Sequence, residues 1–166
     1  SGTIHALLLY TFREREEVLN LFEMISGARL TPSYFCVGGV RWDMPPHFPD
    51  RVRAFLADFP RRLEEYETML MQNPIWLSRT KGIGVISAED AIAMGMTGPC
   101  LRACGVPHDA RKYAPYCGYE QYDFDVSLAY NGDCYDRFGV RLMDMKQSAR
   151  IIEQTLDRAV CPKSAQ

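Results

Sequence analysis

Five polar residues late in the chain, Asp133, Arg137, Arg141, Asp144 and Ser148, follow one another at spacings of four, four, three and four. On a helix that spacing sets them along one flank, within reach of i,i+3 and i,i+4 partners. Two chemistries fit. One is a solvated ladder of surface ion pairs, each contributing little. The other is a charged axis inside the protein, where charges survive only when paired because desolvation costs on the order of several kcal/mol per ion. Tyr135, Phe138, Leu142, Met145, Ala149, Ile152, Leu156 and Ala159 form an apolar stripe beside the flank, and Val140, Met143 and Ile151 lie on the far side. Apolar residues on two sides predict partial burial on both, which leaves the flank poorly solvated.

The other reactive residue types give weaker signals. Six cysteines, at 36, 100, 104, 117, 134 and 161, contain no CxxC pair and no zinc-ribbon spacing, which favours reduced thiols over a disulfide framework. Cys36, without partners, reads as a small buried residue rather than a cluster ligand or redox thiol. His108, alone in a polar loop, reads as structural. Gly82-x-Gly84 lacks the third glycine and the βαβ context of a nucleotide fingerprint. No nucleophile with its base and no Cys/His metal quartet is present.

These residues must be positioned by helices. The stripe predicts a long central helix from Asp133 to Val160, with Asn131-Gly132 as the preceding turn, Asp133 as cap and Pro162 as the stop after Cys161. A first helix carries Leu7, Leu8, Val18, Leu21, Phe22 and Ile25 on a 3.6-residue period, and Gly27 ends it. Residues 28–46 are too rich in Gly and Pro for a helix and too apolar for a solvated linker, so an ordered loop packed against something is expected. Within it, Gly38-Gly39 permits backbone geometries or close approaches that a Cβ forbids. Asp50 is expected to cap a second long helix with the seam Val52, Leu56, Phe59, Leu63, Tyr66 and Leu70, kinked at Pro60 and ending at Asn73-Pro74. Two such seams imply antiparallel packing.

Between them, Ile75 to Thr80 reads as one or two helical turns. Ser87-Ala88-Glu89-Asp90 opens a helix that Gly95 closes, a loop is expected from Val106 to Tyr119, and Phe124 to Leu128 reads as a brief strand. The fold class is mainly α: a helical bundle with ordered Gly/Pro-rich loops.

At 166 residues and 47% hydrophobic composition, the sequence suits a single domain, 1–166, with a core of ordinary size. A net charge of −2 with no basic patch argues against nucleic acid. No apolar run approaches the roughly 20 residues of a membrane span. Ser1-Gly2 directly ahead of the apolar Ile4 to Tyr10 suggests an excerpt of a longer chain.

An ordered series of short segments resembles one family. Ser26-Gly27-Ala28-Arg29, Gly38-Gly39-Val40, Asp43-Met44-Pro45, Gly98 to Gly105, Asp109-Ala110-Arg111-Lys112, Pro115-Tyr116, Asp123-Phe124-Asp125-Val126, Gly132 to Arg137 and Met145 to Ile152 follow in sequence. With these spacings the chain, from about Arg13 to Ala159, resembles the middle of the quinone-site D subunit of respiratory complex I. The resemblance implies a mainly helical fold related to the large subunit of nickel–iron hydrogenases, forming the central part of a longer subunit.

It also implies that this chain binds no cofactor or metal of its own. The partners implied are the iron–sulfur small subunit, which holds a 4Fe-4S cluster, and other complex I subunits. Quinone is reduced in the cavity between the two subunits, with proton translocation coupled to it. The expected location is peripheral, on the cytoplasmic side of the cell inner membrane, or the matrix side of the mitochondrial one.

By the same resemblance, Arg29, Thr31, Cys36, Gly38, Gly39 and Arg41 lie near the cluster or the quinone. Arg29 and Arg41 either supply fixed positive charge there or brace the loop. A hydrophobic quinone cavity would account for Leu8 and Leu9, and so would core burial. Arg102, Asp109 and Arg111 resemble a bracing network, and Asp133, Asp136, Arg137, Arg141 and Asp144 make up the charged axis, relaying charge or purely structural.

Three positions depart from the family: Thr31 where a histidine is common, Cys36 where an arginine is usual, and His108 where a tryptophan is. The segments supplying the quinone-headgroup histidine and tyrosine lie outside these residues, so no complete catalytic set is expected here. A membrane-bound nickel–iron hydrogenase large subunit and a non-catalytic scaffold of the same fold are the alternatives.

Overall fold

The computed structural model describes residues 2–160, with side chains described for 8–159. It is mainly helical, with 62% of residues in helix against 3% in strand. The expected stop at Cys161 and Pro162 lies outside the described residues. The chain divides into two compact units, Ser1–Arg62 and Leu63–Gln166.

In the first unit, α1 (Gly2–Ser26) ends where Gly27, at φ +72°, donates its N–H to the Glu23 carbonyl at 2.8 Å. That is the left-handed stop expected at this position. The following loop contains an antiparallel hairpin, β1 (Phe35–Cys36) with β2 (Gly39–Val40), in which Phe35 pairs with Val40 and Cys36 with Gly39. Gly38 and Gly39 have φ of +93° and +148°, and an added Cβ at either would meet nothing within 4 Å. Backbone conformation, rather than close approach, is therefore what requires glycine here.

Helix α2 spans Phe48–Met71 and continues through Pro60. It begins two residues before Asp50, which lies in the first turn rather than at the cap. Of its expected seam, Val52, Leu63, Tyr66 and Leu70 are buried, while Leu56 and Phe59 are half-buried.

The second unit takes the last turns of α2 and adds α3 (Pro74–Thr80), α4 (Ala88–Ala93), α5 (Gly98–Arg102), α6 (Ala110–Tyr113), a 3-10 turn at Tyr119–Gln121 and α7 (Cys134–Val160). Short helices need their ends satisfied, and side chains do it. Asn73 Oδ1 accepts the N–H groups of Ile75 and Trp76 at 2.9 and 3.3 Å, and Ser87 Oγ accepts that of Asp90 at 3.0 Å. Helix α6 interrupts the loop expected between Val106 and Tyr119, because Asp109 caps it, accepting the N–H of Arg111 at 3.0 Å. One core cluster joins Ala91, Leu101 and Cys104, with Ile86, Ala88, Met96 and Val106 packed around it. Phe124 and Val140 are fully buried elsewhere in the unit.

Two expectations need correction. Residues 124–128 form no strand. The N–H groups of Asp123 and Asp125 donate to the side chains of Gln154 and Gln147 on α7, at 2.9 and 3.0 Å, so a helix supplies the acceptors that a neighbouring strand would have supplied. The stripe of α7 is also not its uniformly buried face. Met145 and Ile152 remain 45% and 42% exposed, whereas Val140 and Ile151, on the supposed far side, are 0% and 8% exposed. Short helix α5 contacts α7, and the 123–125 segment lies along it. No described helix is long and apolar enough to cross a membrane.

Candidate functional site

The sequence-selected residues fall into two groups, one in each unit. The first is the loop and hairpin. Ala28 to Asp43 is half-buried at most, and Phe35, Val37 and Trp42 stand out as exposed apolar side chains. The loop expected to pack against something thus offers its apolar residues to the surroundings. Cys36 is exposed, not buried. Among the described residues no three His, Cys, Asp or Glu side chains converge in a metal-binding arrangement, so Cys36 has no co-ligands there.

Arg29 braces the loop to α1. It donates to Asn20 Oδ1 at 2.8 Å and to Glu23 Oε2 at 3.1 Å, and pairs with Glu16. The hydrogen bond it donates to Glu23 holds the guanidinium pKa above its usual value, with burial opposing. Arg41 differs. Its backbone N–H closes the loop on the Tyr34 carbonyl at 3.0 Å, while its guanidinium is exposed and unpaired among the described residues. Leu8 and Leu9 are exposed as well, so core burial does not account for them within this unit.

Thr31 adopts φ +51°, a left-handed conformation that a β-branched side chain strains to hold and that Asn or His adopts more readily. Its hydroxyl donates to the neighbouring Leu30 carbonyl at 2.8 Å. Thr31→Asn is therefore expected to stabilise the unit by about 1 kcal/mol, read as a rise in thermal midpoint. An unchanged or lowered midpoint would mean that Thr31 is not strained.

The second group lies on α5, α6 and α7, and it does not close into one axis. Asp144 accepts from Arg102 through both oxygens, at 2.8 and 2.9 Å. Asp109 takes Arg111 Nε at 3.0 Å and Nη2 at 2.7 Å, and Arg102 reaches it more weakly at 3.5 Å. Arg102 and Asp109 are buried.

The flank residues nearer the start of α7 do other work. Asp133, 2% exposed, accepts the N–H of Asp136 and the N–H of Gly82, both at 2.8 Å, tying the first turn of α7 to the loop after α3. Asp136 gathers the N–H groups of Tyr130 and Asn131 and the Asn131 side chain. Arg137 donates to the carbonyls of Gly132 and Gly84 at 2.7 and 2.8 Å, and Arg141 to the carbonyl of Arg137 at 2.7 Å. Among the described residues this flank therefore carries no Asp–Arg ladder. Each charge is spent on backbone groups or on a residue of another element.

Hydrogen bonds from Arg111 hold the Asp109 carboxyl below its ordinary range, against the opposing effect of burial. A carboxyl depressed in the folded state adds stability above the unfolded value of about 3.9, and that stability is lost as pH falls through the folded value. Urea midpoints should fall as pH drops below about 4, and Asp109→Asn should flatten that fall. Equal slopes for variant and parent would remove Asp109 from the acid response.

Sequence reasoning missed Glu14, a buried carboxylate on α1 whose Oε1 accepts from Arg13 at 2.7 Å and is paired with Arg62 of α2. The signal was available. Glu14, Val18, Leu21 and Ile25 run at four, three and four, on the seam of the helix.

The chain belongs to the family described as respiratory-chain NADH dehydrogenase, 49 Kd subunit, whose model matches residues 2–164. Its relatives include the D 1 subunit of NADH-quinone oxidoreductase from Roseiflexus castenholzii, 54% identical over 153 residues, and the D 2 subunit from Chloroflexus aurantiacus, 51% identical over 153 residues. Both alignments cover 92% of this chain and 37% of the relative. The C/D 1 subunit of the Aquifex aeolicus NADH-quinone oxidoreductase is 49% identical over 148 residues, covering 89% of this chain and 25% of its own length. The chain thus spans little more than a third of the two D-type relatives it matches. This membership favours the complex I reading over the hydrogenase and scaffold alternatives.

Proposed function

We propose that this chain is the central part of a D-type subunit of NADH:quinone oxidoreductase. With an iron–sulfur small subunit, it forms the site where electrons pass to quinone, coupled to proton translocation. The observation that carries the reading is continuity: about half of the residues are identical to D-type subunits of NADH-quinone oxidoreductase over 92% of the chain. The chain binds no redox group of its own in this reading. The 4Fe-4S cluster belongs to the small subunit, and the assembly sits peripherally on the cytoplasmic face of the inner membrane.

The exposed hairpin supports a role in assembly. Phe35, Val37 and Trp42 present apolar surface on a turn fixed by Gly38 and Gly39, suited to a protein partner rather than to water. Arg41, unpaired among the described residues, adds positive charge at the same place.

The test is elemental analysis and NADH:quinone reductase activity on the native assembly, purified through a tag on the full-length chain. Iron without nickel, carried by a co-purifying small subunit, with quinone reduction, is the expected result. About one nickel per chain would replace this reading with a hydrogenase, and a metal-free chain without activity would replace it with a scaffold.

A further inference from the structure

Residues 123–129 run without a turn or bend, and one edge of that run is already used. Asp123 donates its N–H to the Gln154 side chain on α7 at 2.9 Å and accepts from the same side chain at its carbonyl at 2.7 Å. The Asp125 N–H donates to Gln147 at 3.0 Å. On an extended backbone the N–H and C=O of one residue point to the same edge, and successive residues point to opposite edges. Asp123 and Asp125 therefore face α7, and Val126 and Leu128 face the other way.

Nothing answers them there. Among the described residues the backbone groups of Val126, Ser127 and Leu128 take part in no hydrogen bond, and pairing resumes only at Ala129, whose N–H donates to the Arg102 carbonyl at 3.1 Å. Ser127 has a local reason. Gln154 and Gln147 are seven residues apart, and the same step along α7 leads to Val140, which has no acceptor; the Ser127 hydroxyl is left buried and unpaired as well. That reason does not extend to the opposite edge. Val126 and Leu128 are half-buried rather than covered, so this part of the run is still reached from outside.

The side chains identify the partner. Phe124, Val126 and Leu128 alternate with Asp125 and Ser127, the pattern of a strand with one apolar face. A strand is stable only beside others, and this one has none among the described residues. N–H and C=O groups repeating at every second residue are matched by another extended main chain, which presents the same repeat.

We propose that Val126 and Leu128 form an open strand edge on which a neighbouring subunit of the assembly lays an extended segment. That the donor is a neighbouring subunit rests on the reading of the chain as part of complex I. The strand chemistry does not. Each of the two residues offers one N–H and one C=O to the incoming main chain, and the apolar side chains of the run fix its register.

The test follows backbone amide hydrogen exchange, resolved residue by residue, in the full-length chain alone and in the native assembly. In the free chain the Val126 and Leu128 amides are expected to exchange quickly. In the assembly both should slow by roughly 100-fold, as a newly protected amide does, while Ser127, on the opposite edge, keeps its rate. That alternation separates strand pairing from simple covering. Equal slowing at all three residues would mean a partner that buries the run without pairing with it, and unchanged rates at all three would remove the site. Slow exchange at Val126 and Leu128 already in the free chain would overturn the neighbouring source and give the edge to the subunit itself.

A pair of variants supplies the second arm. Val126→Pro removes an N–H that bonds to nothing among the described residues, and Val126→Ala shortens the side chain but keeps the N–H. Recovery of the proline variant in the native assembly should fall several-fold below that of the alanine variant, with both chains melting near the parent. Equal recovery would overturn the pairing. If the proline ring itself unfolds the segment, the exchange pattern of the parent decides alone. A parent chain that recovers no iron-bearing partner would strike the complex I reading instead, and fast exchange at Val126 and Leu128 would still mark the open edge.

Discussion

Replacing Arg102 by methionine is expected to destabilise the second unit by about 3–5 kcal/mol, the cost of leaving a buried charge without its partner. Arg102 is buried beneath α7 with a guanidinium that meets Asp144 through two nitrogens and Asp109 through one, so one side chain links α5 to α7 and to the start of α6. Asp109 keeps Arg111 when Arg102 is lost. Asp144 loses the guanidinium that held both its oxygens, and it bears most of the cost. Two controls separate charge from packing. Arg102→Lys keeps the charge but cannot reproduce the fork, and should lose a substantial part of the stability. The pair Arg102→Met with Asp144→Leu removes both charges and should recover much of the loss, since apolar replacement of a buried pair is often close to neutral. Urea unfolding of the three variants decides the matter. A double variant no more stable than Arg102→Met would mean that the site depends on shape rather than on charge pairing.

That arrangement shows where the sequence was legible. The long helices follow from periodicity and α4 from its capping residue Ser87, because these signals are local; the Asn73 cap of α3, read only as the end of the preceding helix, was equally local and was missed. Glu14 could have been placed by the same periodicity. The pairing of Arg102 with Asp144, 42 residues apart, could not, since spacing along a helix gives the side a charge lies on and not what faces it. Arg137 makes the point more sharply. Its place on the Asp133 to Ser148 flank suggested Asp partners, yet it donates to two glycine carbonyls, and a backbone carbonyl leaves no trace in the sequence. The hairpin was missed because only two residue pairs define it, too few for an alternating pattern to be read. The glycines in its turn were read as permitting either unusual backbone geometry or a close approach, and their positive φ with open space around each Cβ position selects the first.

The same limit applies to Gly132, which reads as one half of an Asn-Gly turn and is much more than that. Its N–H donates to the Ala103 carbonyl at 2.9 Å, and its carbonyl accepts from Ile86 N–H at 3.1 Å and from Arg137 Nη1 at 2.7 Å. Three segments therefore meet on one residue: the end of α5, the link before α4 and the start of α7. The residue sits at φ +63°, and a Cβ placed on it would fall on the Ile86 carbonyl oxygen, a backbone atom that cannot rotate away. Gly132→Ala must therefore carry left-handed strain of about 1–2 kcal/mol and also push the Ile86 segment aside, which weakens the bonds on either side. A total loss of about 3–5 kcal/mol is expected, in the range that only a named structural fault produces. Gly95 provides the comparison. At φ +69° it shares the strain, but nothing lies within 4 Å of its Cβ position, so Gly95→Ala should cost only about 1–2 kcal/mol. Thermal and urea unfolding of the two variants side by side isolates the steric part. If Gly132→Ala costs no more than Gly95→Ala, the Ile86 segment moves freely, and the three-way junction does not hold the start of α7 in place.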